Sequence, residues 1–183
     1  MLIDESCSQL MPLVRRTLAP RGRTPILKHS KHYNDKVSLM GALTLSPCRG
    51  RLGFYCSTLP DESFDDWSTA WFLKQLLRHQ RGKVIIVWDR GPIHRGPAVR
   101  ALLAKHPRLE IVELPAYAPE LNPVEFVWSY LKFGRLSNLG AESVQALADT
   151  LELELNNIRD DQHLLKQLWL GSLLPWPHRL LAS

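Results

Sequence analysis

The sequence predicts an α/β fold whose sheet is mixed, three antiparallel strands followed by two parallel ones, with helices on its flanks. Three features carry that expectation. The N-terminal third alternates short apolar runs with turn residues, the mark of strands joined by hairpin-like loops. Residues 84–88, VIIVW, are five unbroken apolar residues, as in a strand buried on both faces. A helix-length segment and a second strand-like run, 110–114, then complete a strand, helix, strand order, which implies a right-handed parallel crossover.

Taken in order, the chain opens on the short apolar run MLI, and 17–24 (TLAPRGRT) holds a turn at Pro20 and Gly22. Strands are expected over 37–45 (VSLMGALTL) and 52–56 (LGFYC), separated by the breaker Pro47-Cys48-Arg49-Gly50. A helix starts at Asp65 or Asp66, with acids in its first turn and Trp67, Trp71 and Leu77 directed to the core. Another is expected from about Gly96 to Lys105, and a third from Pro123 to Phe133, after Pro115 and Pro119 interrupt regular structure. Val144, Leu147, Leu151, Leu155 and Ile158 recur at helical spacing, so 144–158 reads as an amphipathic helix with an acidic outer face. A last short helix spans Leu164 to Trp169, before a Pro-rich tail.

With 183 residues, 45% of them hydrophobic, the chain can bury a core without disulfides or a structural metal. Its three cysteines, Cys7, Cys48 and Cys56, form no C-x-x-C pair, which argues against both a disulfide framework and a zinc site and suits a reducing cytosol. Neither a signal peptide nor an apolar run long enough to cross a bilayer is visible. There is no G-x-S-x-G and no P-loop, so serine-hydrolase and nucleotide-hydrolase chemistry are poorly supported. The net charge of +5 is unevenly spread. Residues 1–60 carry nine Lys/Arg against three acids, and 74–108 carry nine against Asp89 alone, whereas 141–162 carry one against six. Two basic segments of this kind can draw in a polyanion, although clustering on a solvated surface gives the same counts.

Acids stand where elements meet turns. Asp89 ends the apolar strand, Glu125 lies at the opening of the third helix, and the pair Asp4-Glu5 follows MLI. Three carboxylates converging at one sheet edge would suit a hard divalent cation, which prefers oxygen ligands, and so would favour phosphodiester chemistry. Each acid also has a structural reading. Asp89 can cap the turn DRGP, and Asn122-Pro123-Val124-Glu125 fits a capping box with Asn122 as N-cap. Asp4 and Glu5 can simply be solvated. His94 can be structural, can assist at the site, or can contact phosphate.

The segments IDES, LAPRGRTP, VSLMGAL, VWDRGPIH and LPAYAPELNPVEFVWSYLK, in this order, resemble the catalytic domain of the DDE transposases, in particular the bacterial insertion-sequence group related to mariner elements. The resemblance implies a ribonuclease H-like fold over a single domain, 1–183, with Asp4 on the first central strand, Asp89 after the fourth and Glu125 on the helix after the fifth. Those three would be the catalytic, metal-holding residues, using two Mg²⁺ or Mn²⁺ ions to cleave and join DNA strands by phosphoryl transfer. The partner implied is double-stranded DNA, both transposon ends and target, with Arg15, Arg16, Arg21, Arg23, Arg90 and Arg95 as candidate backbone contacts. Many relatives have Asn at the position of Arg90. Relatives also carry a helix-turn-helix DNA-binding region before the first aspartate, which here has only Met1, Leu2 and Ile3 ahead of it. The expectation is therefore a catalytic half that works as a homo-oligomer or with a subunit carrying the missing region, in the cytoplasm at the nucleoid. The alternatives are an inactive remnant that binds DNA or another subunit, and a ribonuclease H-like nuclease with no part in transposition.

Overall fold

A computed structural model describes residues 1–27, 35–46 and 49–176. Pro47 and Cys48 of the expected breaker lie outside the described residues. Five strands form one sheet: β1 (Leu2–Gln9), β2 (Lys36–Leu45), β3 (Leu52–Pro60), β4 (Val84–Trp88) and β5 (Leu109–Glu113), in the order β3-β2-β1-β4-β5. β1, β2 and β3 pair antiparallel, while β4 runs parallel to both β1 and β5. This is the mixed sheet that the sequence predicts, and β1 lies at its centre.

The sheet separates two apolar layers. On one face α1 (Asp66–His79) and α2 (Pro97–Lys105) bury Phe72, Leu73, Leu76 and Val99 against Ile3, Met40, Ile86 and Trp88. On the other, α3 (Pro123–Ser129), α4 (Val144–Asp160) and α5 (Gln162–Gly171) cover Leu2, Leu39, Leu43 and Phe54. Leu2 and Ile3 belong to opposite layers, because successive strand side chains point to opposite faces. The same alternation sends Asp4 and Glu5 to opposite sides of the sheet.

Helix ends follow local chemistry. Asp65 caps α1, its side chain accepting from the Ser68 N–H while the Ser68 hydroxyl accepts from the Asp65 N–H. Asp66 reaches across to accept from the Ala98 N–H at 3.0 Å, supplying the cap that Gly96 lacks a side chain to give α2. The apolar stripe of 144–158 is the inner face of α4, as expected, with Ser143 as its N-cap. Residues 130–135 continue α3 as a wider, π-helical turn.

Two expectations about burial are overturned. Trp67 and Trp71 are not core: they are 72% and 57% exposed, because α1 buries the stripe of Ala70, Phe72, Leu73, Leu76 and Leu77, and the tryptophans fall on the opposite side of the helix. β4 is not buried on both faces either. Val84, Ile86 and Trp88 pack under α1 and α2, but Ile85 is 50% exposed, since the helices of the second layer pack over β1, β2 and β3 and leave this end of the sheet open. The turn at 17–24 does form, with the Arg23 N–H donating to the Pro20 carbonyl and Gly22 at φ +82°, but among the described residues no strand flanks it. Its left-handed backbone is the reason for glycine there.

Close packing around Gly41, opposite Asp4 in the β1–β2 pairing, gives a direct test of the core. A Cβ at Gly41 would stand 2.6 Å from the Trp128 ring, whereas one at Gly134 would find its nearest neighbour at an ordinary 3.8 Å. Gly41→Ala should cost about 1–3 kcal/mol by overpacking. Gly134→Ala should be neutral or stabilising. Thermal unfolding of the two variants checks this, each kcal/mol moving Tm by roughly 2–4 °C for a domain of this size.

Candidate active site

The acids singled out in the sequence gather where β1 passes the carboxyl end of β4. Asp4 lies on β1, Asp89 directly follows β4, and Glu125 sits in the first turn of α3. In open sheets that carry parallel strands, this end is where ligands collect.

α3 is tied to β1 at two points. Asn122, fully buried, caps the helix by accepting from the Val124 N–H at 3.2 Å, and its amide donates to the Ile3 carbonyl at 3.4 Å. One turn further, the buried indole N–H of Trp128 donates to Asp4 Oδ2 at 2.9 Å. Glu125 lies between these anchors and on the same helix face as Trp128, three positions away. It is not used as a capping glutamate: the Asn122 N–H, which a capping box would require of it, already donates to the Pro119 carbonyl at 2.9 Å. Asp89 does serve its turn, Oδ1 accepting from the Gly91 N–H at 2.8 Å, and remains largely exposed.

The electrostatics are those of an uncompensated anionic cluster. Burial, then the charges of Glu125 and Glu5, push the Asp4 carboxyl from 3.8 up to about 8, against the opposing pull of the Trp128 hydrogen bond; Asp89 adds to the rise. Burial also raises Glu125, with Lys132 opposing and Asp89 adding to the rise. Burial lowers His94, but the hydrogen bond and charge of Glu5, followed by Asp89, outweigh it and leave the imidazole raised above its ordinary value. His94 is 4% exposed, stacked on Trp88 at 4.4 Å between ring centroids. Its Nε2 lies 2.9 Å from Glu5 Oε1 and its Nδ1 3.1 Å from Asp89 Oδ1. These three residues form the tightest group of metal-capable side chains among the described residues, with one ligand atom of each within 4.8 Å of the others. Together with Asp4, whose carboxyl burial and then the neighbouring acids raise to about 8, these side chains offer carboxylate oxygens of the kind a hard divalent cation takes.

The candidate arginines fare differently. Arg16, Arg21 and Arg23 lie in the exposed segment after β1. Arg15 is built into the structure, its guanidinium donating to the Phe133 carbonyl at 2.7 Å and lying over the Phe133 ring. Arg90 and Arg95 flank Asp89 and His94, and both pair with Glu113 at the end of β5, at 3.4 and 2.8 Å. Sequence reasoning missed Trp128 and Gly41, the donor to Asp4 and the gap that admits its ring. The spacing Glu125-x-x-Trp128, two residues sharing a helix face, was the available signal for the first.

Residues 1–148 match the family model of the DDE superfamily endonucleases, and the chain belongs to that family. No curated protein matches it in sequence. Among solved structures it is similar to the Mos1 transposase paired-end complex with left transposon end, with a TM-score of 0.65 and 19% identity over 98% of this chain and 52% of that one. The Mos1 strand transfer complex gives 0.63 and 19%, covering 93% and 50%. The catalytic domain of Mos1 mariner transposase gives 0.59 and 16%, covering 93% and 74%. The fold is thus the ribonuclease H-like fold, and the chain spans about half the length of the full transposase chains it resembles.

The raised acids give a pH dependence with a definite sign. Asp4 binds a proton in the folded state between its ordinary value of 3.8 and about 8, where the unfolded chain does not, so stability is highest below pH 4 on this account and falls as pH rises towards 8. Glu125 and His94, both raised, act in the same direction. Asp4→Asn should therefore raise Tm at pH 8 by at least about 2–4 °C, equivalent to roughly 1 kcal/mol, and by little at pH 4. Calorimetry across pH 4–9 measures it; a variant less stable than the parent at pH 8 would contradict the acid-cluster account.

Proposed function

We propose that this chain is the catalytic region of an insertion-sequence transposase, which cleaves DNA and transfers strands with divalent ions held by Asp4, Asp89 and Glu125. The observation that carries the reading is the Asp4 carboxyl, which burial and neighbouring acids drive to about 8 although the buried Trp128 indole holds it in place. A fold that invests in fixing a carboxylate among others is suited to a cation.

Two Mg²⁺ or Mn²⁺ ions, when bound, would supply activation of the attacking oxygen and neutralisation of the charge that gathers on the leaving oxygen. The remaining work falls to the chain. Trp128 and Asn122 fix α3 against β1, so Glu125 enters the site at a set height relative to Asp4. Burial and the charge of Asp89 raise the Glu125 carboxyl, with Lys132 opposing, so a cation would favour its ionised form. Arg90 and Arg95 lie beside Asp89 and can exchange Glu113 for a DNA phosphate at small cost, because exposed ion pairs are worth roughly 0–1 kcal/mol. Arg16, Arg21 and Arg23 extend the basic surface along the segment after β1, while Arg15 supports it through Phe133. Double-stranded DNA, as transposon ends and target, is the substrate on this reading. A second copy of the chain, or a subunit with its own DNA-reading region, would align the two ends, at the nucleoid in the cytoplasm. No described helix is long and apolar enough to cross a membrane.

Asp89→Asn and Glu125→Gln keep shape and remove charge. Each should abolish Mg²⁺- or Mn²⁺-dependent nicking of supercoiled DNA while leaving Tm unchanged or raised. Nicking by either variant near the parent rate would defeat the assignment, and DNA binding by the parent without nicking would mark it as an inactive remnant. Strand joining to a target duplex separates a transposase from a simple nuclease.

Divalent ions must displace the Asp4 proton, so their apparent affinity should strengthen as pH rises from 6 towards 8 and then level off, by up to about tenfold per unit. Titration of Mn²⁺ at several pH values reads this. An affinity flat across that range would show that Asp4 is not a ligand.

DNA binding should rest on phosphates. Replacing Arg16, Arg21 and Arg23 by Gln should weaken terminal-repeat and scrambled duplexes alike, and flatten the dependence of log K on log salt by roughly 0.9 for each phosphate no longer neutralised. Binding assays over a salt series check it; a loss confined to the terminal repeat would show that these arginines read sequence.

A further inference from the structure

The alternation along β1 separates two adjacent acids that look interchangeable in the sequence. Asp4 points to the α3 side, where Trp128 holds it, and Glu5 points to the other face, where it meets His94. Glu5 is hydrogen-bonded to the site through that histidine. The two ring nitrogens of His94 already face different partners: Nε2 meets Glu5 Oε1 at 2.9 Å, and Nδ1 meets Asp89 Oδ1 at 3.1 Å and the Asp89 carbonyl at 3.2 Å. The ring stacks on Trp88 with 9° between planes, and Trp88 immediately precedes Asp89. Asp89 Oδ1 also accepts from the Gly91 N–H at 2.8 Å, and a Cβ at Gly91 would stand only 3.0 Å from that oxygen and 3.7 Å from the His94 ring. One oxygen of Asp89 is thus held from two sides, and Oδ2 has no hydrogen-bond partner among the described residues.

We infer that Glu5 and His94 are positioning residues which hold Asp89 Oδ1 and leave Oδ2 as the oxygen offered to a cation, rather than ligands in a second cation site. The inference rests on the reading of Asp89 as a metal ligand. Held by the Gly91 N–H alone, the exposed carboxylate would keep more side-chain freedom, and ordering it at the moment of binding would cost affinity. The π-stack fixes the ring plane, Glu5 fixes the ring's far nitrogen, and the near nitrogen fixes Asp89. Groups that orient a ligand from behind in this way matter to affinity nearly as much as the ligand itself.

The test is Mn²⁺ binding to the whole chain without DNA, by calorimetry and by electron paramagnetic resonance, at a temperature where circular dichroism shows every variant folded. His94→Asn retains an amide near the place of Nδ1, and His94→Gln retains one near Nε2. Glu5→Gln retains an acceptor for the ring, and Glu5→Ala does not. His94→Gln and Glu5→Ala should weaken Mn²⁺ by about 10–100-fold, His94→Asn by less than His94→Gln, and Glu5→Gln should stay within about threefold of the parent. The bound Mn²⁺ should show no directly coordinated nitrogen. Equal affinity in the parent, His94→Gln and Glu5→Ala would overturn the inference, as would a ¹⁴N coupling on the ion or a loss in Glu5→Gln as large as that in Glu5→Ala. Asp89→Asn separates the two levels of argument. If it loses Mn²⁺ while His94→Gln does not, positioning alone fails; if it binds like the parent, the metal-ligand reading of Asp89 fails first.

Discussion

The hydrogen bond from the Trp128 indole to Asp4 is the contact on which the rest of the site depends, because it joins the helix that carries one acid to the strand that carries another. It can exist only where the ring fits between α3 and the sheet. Gly41, opposite Asp4 on β2, leaves that space, and Phe54 on β3 meets the ring edge-on with centroids 6.2 Å apart. Three neighbouring strands therefore contribute to the placement of a single carboxylate. Asn122, the N-cap of the same helix, ties it to the Ile3 carbonyl, so α3 is held to β1 at two points.

Packing of this kind opposes electrostatics. Burial and like charge disfavour an ionised Asp4, and the fold keeps it in place with a donor that is itself buried. Such an arrangement is unfavourable for an apoprotein and favourable for one that takes up a cation, and the balance passes from one to the other as the cation concentration rises. Stability is given up locally at the sheet edge, while the two apolar layers on either side make the loss tolerable.

Much of this was legible in the residues. VIIVW followed by a helix and EIVEL could hardly be other than a parallel crossover, and the apolar spacing of 144–158 left little choice of inner face. Burial was harder to read. A run of five apolar residues looks the same whether one or both faces are covered, so Ile85 was expected inside and lies outside. Trp67 and Trp71 misled for a related reason: their size suggests a core, but which side of α1 is inner was set by Phe72, Leu73, Leu76 and Leu77 together. In the site, the identities of Asp4, Asp89 and Glu125 came from a resemblance, and spacing by itself left Glu125 open to a capping role. The hydrogen bond from the Asn122 N–H to Pro119 removes that role, and it joins atoms whose proximity no sequence pattern encodes.

The wide turn at 130–135 bears on how the chain leaves the site. A π turn amounts to one residue taken into an α-helix, and each residue added rotates everything beyond it by about 100°. Glu125 and Trp128 lie before the turn and keep their α-helical spacing. The rotation falls on the C-terminal side, where Arg135 reaches Glu154 of α4 at 2.7 Å and Leu136 enters the core. The wide turn leaves Glu125 and Trp128 in place and redirects the chain that leads to α4, with Leu131 and Leu136 buried on the way. The same helix thus holds Glu125 and Trp128 at a fixed α-helical spacing before Tyr130 and redirects the chain towards the outer layer after it.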